Sequence, residues 1–146
     1  MDKSNARIRP NVLVVEDDQS ITRMLRFSLH SVGFGITEVS TGTDALVCMD
    51  SEPPAAVVLD LGLSDGNAPL VLNQLRCQPD NAPAWVCISS LDLEDASNEH
   101  GPLGDHFFGK PFNPWELVGI LKNMMSSSEQ PDSLQNRARI LGRTTE

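Results

Sequence analysis

The sequence is short of positive charge. Residues 11–125 carry five basic side chains (Arg23, Arg26, Arg76, Lys110 and Lys122) against sixteen acidic ones, and the full 146 residues have a net charge of −9. That shortage argues against direct nucleic-acid binding by this part of the chain, which would need a basic face. It suits a site that holds a cation. No apolar run approaches the roughly 18 residues of a membrane-spanning helix, and the first residues, Met-Asp-Lys-Ser-Asn-Ala-Arg, lack the apolar stretch of a secretory signal. Cysteine is scarce too. Cys48, Cys77 and Cys87 show no Cys-x-x-Cys spacing and stand in apolar contexts, so they are expected to be reduced core thiols of a cytoplasmic protein. His30, His100 and His106 have no ligand spacing to one another or to cysteine, and are expected to be surface or structural residues. Residues 11–125 contain no internal repeat and no low-complexity run.

What the chain does have is a set of short apolar runs ending in reactive side chains. Its length fits one domain with a real core. Residues 55–60 read Ala-Ala-Val-Val-Leu-Asp behind Pro53-Pro54, the pattern of a strand buried on both faces. The turn-forming run Leu61-Gly62-Leu63-Ser64-Asp65-Gly66 comes next. Residues 12–15 are a second such run, ending in Glu16-Asp17-Asp18, and Trp85-Val86-Cys87-Ile88 is a third, ending in Ser89-Ser90. Residues 34–39 alternate more, as an edge strand does, and His106-Phe107-Phe108 is a short strand leading into Gly109-Lys110-Pro111-Phe112.

Helical spacing fills the gaps. Ile21, Met24, Leu25, Ser28, Leu29 and Val32 recur on one face until Gly33. Residues 43–50 and 68–77 form two further helices, the latter with Pro69 near its start. Residues 91–100 form a fourth helix cut short by Gly101-Pro102 and Gly104, and Asn113-Pro114-Trp115-Glu116 opens a fifth that Leu117, Ile120, Leu121, Met124 and Met125 continue. Strands alternating with helices in this way imply a doubly wound parallel sheet with helices on both faces. Residues 1–10 are expected to be a flexible N-terminus, residues 11–125 the folded domain, and residues 126–146 a polar linker or tail.

In a parallel sheet the ends of these strands share one edge, where ligands bind. Glu16, Asp17 and Asp60 would crowd there, a repulsion that a bound cation relieves. Oxygen ligands with room for water suit Mg²⁺. Lys110 supplies a point charge and Ser89 a hydroxyl for phosphate oxygens, and Asp60 can act as a nucleophile on phosphorus. Asp18 fits a helix start better than a metal ligand.

With these residues in place the chain resembles the receiver (CheY-like) domain of two-component response regulators over residues 11–125. The pieces that carry the resemblance are Val14-Val15-Glu16-Asp17-Asp18, Val32-Gly33-Phe34, Val57-Val58-Leu59-Asp60, Ser89 and Lys110-Pro111-Phe112. It implies a flavodoxin-like five-stranded sheet of order 2-1-3-4-5. It implies a Mg²⁺-dependent phosphoacceptor rather than a turnover enzyme, which takes its phosphoryl group from a sensor histidine kinase or phosphotransfer protein. By the same resemblance Asp60 is the phosphoacceptor, and Glu16, Asp17, Asp60 and the main-chain carbonyl of Gly62 form the metal shell. Lys110 pairs with a phosphoryl oxygen, while Ser89 and Phe107 report occupancy as switch residues. The fourth helix, fifth strand and fifth helix would be the signalling face, where such domains also form homodimers; the polar tail is compatible either with an effector domain after residue 146 or with a stand-alone regulator.

The chain departs from the family pattern in places. The family usually has Pro four residues after the acceptor and Gly eight after, where this chain has Ser64 and Ala68. Gly62 and Leu91, the variable positions flanking the acceptor, offer no polar group to orient water, so self-dephosphorylation is expected to be slow to intermediate. Rival functions fit less well. A haloacid-dehalogenase-type phosphatase would need a second Asp where Gly62 stands. A dinucleotide-binding fold would need a Gly-x-Gly-x-x-Gly turn after the first strand, where three carboxylates would instead repel a pyrophosphate. The remaining alternative is a degenerate receiver that signals without phosphate.

Overall fold

The computed structural model describes residues 9–77 and 83–129. The expectations for residues 1–8 and for the chain from residue 130 onward lie outside the described residues. Five strands form where the apolar runs lie: β1 (Asn11–Val15), β2 (Gly35–Val39), β3 (Ala56–Asp60), β4 (Ala84–Ser89) and β5 (Phe107–Gly109). Between and after them come α1 (Gln19–Ser31), α2 (Gly42–Ser51), α3 (Ala68–Arg76), α4 (Leu93–His100) and α5 (Pro114–Glu129), with a 3₁₀ turn, Gly104–His106, before β5. The strands make one parallel sheet of order β2-β1-β3-β4-β5. This is the fold expected from the sequence, including its short fourth helix.

The period-2 geometry of a strand divides each apolar run between two cores. Leu13, Val15, Val57, Leu59 and Cys87 face Ala45 and Met49 of α2, Val71, Leu72 and Leu75 of α3, and Ala96 of α4. Their neighbours Val12, Val14, Ala56, Val58, Val86 and Ile88 face Leu25 and Leu29 of α1 and Leu117, Val118 and Leu121 of α5. All five β3 residues are buried, so β3 is the central strand of the sheet, whereas β2 at the edge is mostly half-buried.

Side chains read as helix starts do cap helices. Asp18 Oδ1 accepts from the backbone N–H groups of Ser20 (2.8 Å) and Ile21 (3.2 Å). Thr41 and Asp92 cap α2 and α4 in the same way, and Asn113 Oδ1 accepts from Trp115 N at 2.9 Å.

Several boundaries differ from the sequence expectation. His106 ends the 3₁₀ turn rather than opening β5; its ring stacks on Trp85 at 3.8 Å and its Nδ1 lies 2.7 Å from the Trp85 carbonyl. The helix expected to finish at Met125 runs on to Glu129. Cys77 is exposed, not a core thiol, because it sits at the C-cap of α3 beyond Leu75, the last buried residue of that helix. Cys87 is buried as expected, and burial pushes its thiol pKa up to about 12, leaving it unreactive. Among the described residues, no helix is long and apolar enough to cross a membrane.

Candidate functional site

β1 lies between β2 and β3, so the chain leaves β1 toward one side of the sheet and returns to β3 on the other. The crevice beyond the carboxyl ends of β1 and β3 is therefore the place where an α/β sheet binds ligands. Backbone hydrogen bonds continue the ladder one residue past the strands and hold the first loop residues in place. Glu16 N donates to Val39 O (3.1 Å), Leu61 N to Ile88 O (2.9 Å) and Lys110 N to Ser89 O (2.7 Å). A cavity of about 260 Å³ opens at this edge, lined by Glu16, Asp17, Asp60, Gly62, Ser89 and Lys110.

The three carboxylates meet there. Glu16, Asp17 and Asp60 each place a carboxylate oxygen within 4.8 Å of the others, so they form an acidic cluster that could hold a metal ion. Lys110 reaches the cluster from the far side of β4. Its Nζ lies 3.4 Å from Asp60 Oδ2 and 3.3 Å from Glu16 Oε1, and the peptide bond from Lys110 to Pro111 is cis. Asp60 is 3 % exposed, and its Oδ1 accepts from Gly62 N at 3.0 Å.

Glu16 is the most constrained of the three. It is 2 % exposed, and despite the nearby ammonium its Oε1 accepts no hydrogen bond from the described residues. Burial pushes its pKa up to about 7, the neighbouring Asp60 carboxylate adds to the rise, and the Asp18 N–H and Lys110 oppose it. A buried carboxylate oxygen that accepts no hydrogen bond, beside two more hard oxygen donors, is a donor set that fits a divalent cation.

Asp17 is only half-buried and is held by the loop after β3. Ser64 donates to its Oδ2 from both the backbone N–H (2.9 Å) and the hydroxyl, and these bonds hold the Asp17 carboxyl below its usual range. The far end of that loop is tied to α2. Asp65 Oδ2 accepts from Thr43 N (3.2 Å) and Asn67 Nδ2 (3.2 Å), while Asn67 Nδ2 also donates to Thr43 Oγ1 (2.8 Å). Gly42 packs so closely on Asn67 that a Cβ there would lie 2.7 Å from its side chain. The loop lacking the family's Pro is thus shaped by side-chain hydrogen bonds instead.

Ser89 is 3 % exposed, and its Oγ accepts from Leu91 N at 3.0 Å. Ser90 and Leu91 also line the cavity. Phe107 is half-buried and packs on the core beneath α2, α3 and α4. Asp18 serves as the α1 cap, as expected.

Two residues that pattern reading set aside or passed over stand at the cavity wall. Glu99 and His100, at the end of α4, line it and also the neighbouring α3–α4 cleft of about 480 Å³. They are held there by Arg76 of α3, whose guanidinium donates to the carbonyls of His100 (2.6 Å) and Pro102 (2.8 Å). No spacing rule marks them, since the placement depends on how a shortened α4 lies against α3.

Fold and site together define a response regulator receiver domain, and comparison with known proteins agrees. The family model described as "Response regulator receiver domain" matches residues 12–122, so the chain belongs to that family, whose members are signalling modules of two-component systems. It is 31% identical over 133 residues to the KDP operon transcriptional regulatory protein KdpE of Escherichia coli, covering 85% of this chain and 56% of that protein. It is 32% identical over 115 residues to the DNA-binding response regulator MtrA of Mycobacterium leprae, covering 79% and 51%. The chain spans about half the length of the curated relatives it matches. Among solved structures it is similar to the signal receiver domain of a LuxO repressor protein from Vibrio parahaemolyticus (TM-score 0.72, 25% identity, 87% of this chain and 98% of that one). It is also similar to a CheY-like receiver domain from Methylobacillus flagellatus (TM-score 0.64, 30% identity, 80% and 99%).

Proposed function

We propose that this receiver domain accepts a phosphoryl group on Asp60 in a Mg²⁺-dependent reaction and changes conformation to control an output. The observation that carries this reading is the position of the Lys110 ammonium, within ion-pair distance of both Asp60 and Glu16 at the edge where three carboxylates converge. A lone Asp at a strand end would not need that arrangement.

Glu16, Asp17, Asp60 and the main-chain carbonyl of Gly62 are the residues that would hold Mg²⁺. When bound, the ion supplies charge neutralisation at the transferring group. An Asp60 carboxylate oxygen attacks phosphorus as the bond to the donor's imidazole nitrogen breaks, and that nitrogen leaves with the bonding pair. The donor is a sensor histidine kinase or a phosphotransfer protein. Lys110 then pairs with a phosphoryl oxygen. Ser89 turns its hydroxyl toward the phosphoryl group, and Phe107 moves into the space it leaves. The aspartyl phosphate is a signalling state rather than the intermediate of a turnover enzyme.

The names of the relatives as transcriptional regulators, and the half of their length that this chain matches, support an output in transcription through an effector domain beyond the receiver. The strongly acidic composition of residues 11–125 favours nucleic-acid contact outside this domain. Intact mass after incubation with acetyl phosphate and Mg²⁺ tests the reading. One added phosphoryl group, absent without Mg²⁺ and in Asp60→Asn, is expected. An unmodified wild-type chain would favour a receiver that signals without phosphate.

A further inference from the structure

Ser64 stands where related domains usually have Pro. A proline has neither an N–H nor a hydroxyl, so the two bonds that Ser64 donates to Asp17 Oδ2 are a feature of this chain. They join residues 47 positions apart, across the gap between the loop after β1 and the loop after β3. The acidic cluster is built around that gap.

Without a cation, three carboxylates at this distance repel one another. Asp17 is the one best able to escape, because it is half-buried while Glu16 and Asp60 are buried. A free Asp17 side chain would turn toward water, and a cation would have to draw it back at the expense of side-chain entropy. Two donors on one of its oxygens remove that freedom and leave the second oxygen available. Preorganisation of this kind raises affinity by lowering the ordering penalty.

We infer that Ser64 is a positioning residue for the divalent-cation site: it holds Asp17 in the cluster through its hydroxyl and N–H, in place of the loop rigidity that proline gives related domains. This inference rests on the proposed metal role of Asp17. It concerns only the affinity of the cation, since Ser64 bonds Asp17 and not the acceptor carboxylate.

Isothermal titration calorimetry with MgCl₂ on the unphosphorylated chain tests it, using wild type, Ser64→Ala, Ser64→Thr, Thr43→Ala and Asp17→Asn, each checked for folding by circular dichroism. Thr43→Ala loosens the same loop at its other end without touching Asp17, so it separates positioning of Asp17 from general slackening. Loss of a hydroxyl bonded to a charged partner predicts Mg²⁺ affinity weakened about fivefold in Ser64→Ala. Affinity within about twofold of wild type is expected in Ser64→Thr, which keeps the hydroxyl, and in Thr43→Ala. Equal or tighter binding by Ser64→Ala, or equal weakening in Thr43→Ala, would overturn the inference. Loss of binding in Asp17→Asn alone would do so too while leaving the metal site intact as a reading. If wild type binds no Mg²⁺, the metal site itself fails and the inference fails with it.

Discussion

Lys110 Nζ and Asp60 Oδ2 lie 3.4 Å apart, a contact made between residues 50 positions apart in sequence by the parallel pairing of β3, β4 and β5. One ammonium faces a cluster of three carboxylates, so in the metal-free protein Asp60 adds more repulsion than the single cation offsets. Neutralising it should therefore help the fold. Asp60→Asn is expected to raise the unfolding free energy of the metal-free protein at pH 7, because it removes one of three mutually repelling carboxylates. Urea denaturation with EDTA measures this, and a destabilised variant would contradict it.

The Glu16 carboxyl predicts how stability changes with pH. Its folded-state pKa is raised to about 7, from an ordinary value of 4.5, chiefly by burial. Between those values the folded state binds more protons than the unfolded one, so the Glu16 contribution to stability falls as pH rises through that window. Metal-free protein should lose stability from pH 5 to pH 7, and Glu16→Gln should flatten that part of the profile. Thermal melts across the range, in EDTA, give the slope. A wild-type profile that rises over the window, or one that Glu16→Gln leaves unchanged, would be inconsistent with the buried acid.

Asp18 adjoins two members of the cluster yet spends its carboxylate on the first turn of α1. Asp18→Ala should cost about 1 kcal/mol of stability, as loss of an N-cap does, and leave Mg²⁺ affinity nearly unchanged. Denaturation and calorimetry on the same variant separate the two roles.

How long a phosphoryl group stays on Asp60 should depend on what its flanks lack. Gly62 and Leu91 both line the cavity and neither can orient water. A Cβ at Gly62 would meet Asp60 Oδ1 at 3.7 Å, an ordinary contact, so a side chain can be added there without strain. Gly62→Asn should shorten the aspartyl-phosphate lifetime several-fold in a phosphate-release assay. An unchanged lifetime would mean that some other group governs hydrolysis, with His100 and Glu99 on the cavity wall the nearest candidates.

Much of the architecture is legible in the sequence because its driving force is local. The runs at 12–15, 55–60 and 85–88 are apolar on both faces, which only the interior strands of a covered parallel sheet require. The reactive residues at their ends then converge by topology, so Glu16, Asp17, Asp60, Ser89 and Lys110 could be assembled on one edge without coordinates. Pattern reading fails where a residue's environment depends on packing between elements. Cys77 looks apolar by its neighbours, but its place at the end of α3 leaves it exposed. Ser64 has the composition of any turn residue, and nothing in its spacing shows that it bonds Asp17. His100 reaches the cavity wall only because α4 is short and Arg76 holds its end.

The most direct test asks which side chain carries the phosphoryl group. Wild-type protein treated with acetyl phosphate and Mg²⁺ can be reduced with borohydride, which converts an aspartyl phosphate to homoserine, and then mapped by peptide mass spectrometry. Conversion at position 60, dependent on Mg²⁺ and lost in Lys110→Ala at matched Mg²⁺, is the predicted result. Conversion at Asp17 or any other carboxylate, or none at all, would contradict the assignment of Asp60 as the acceptor.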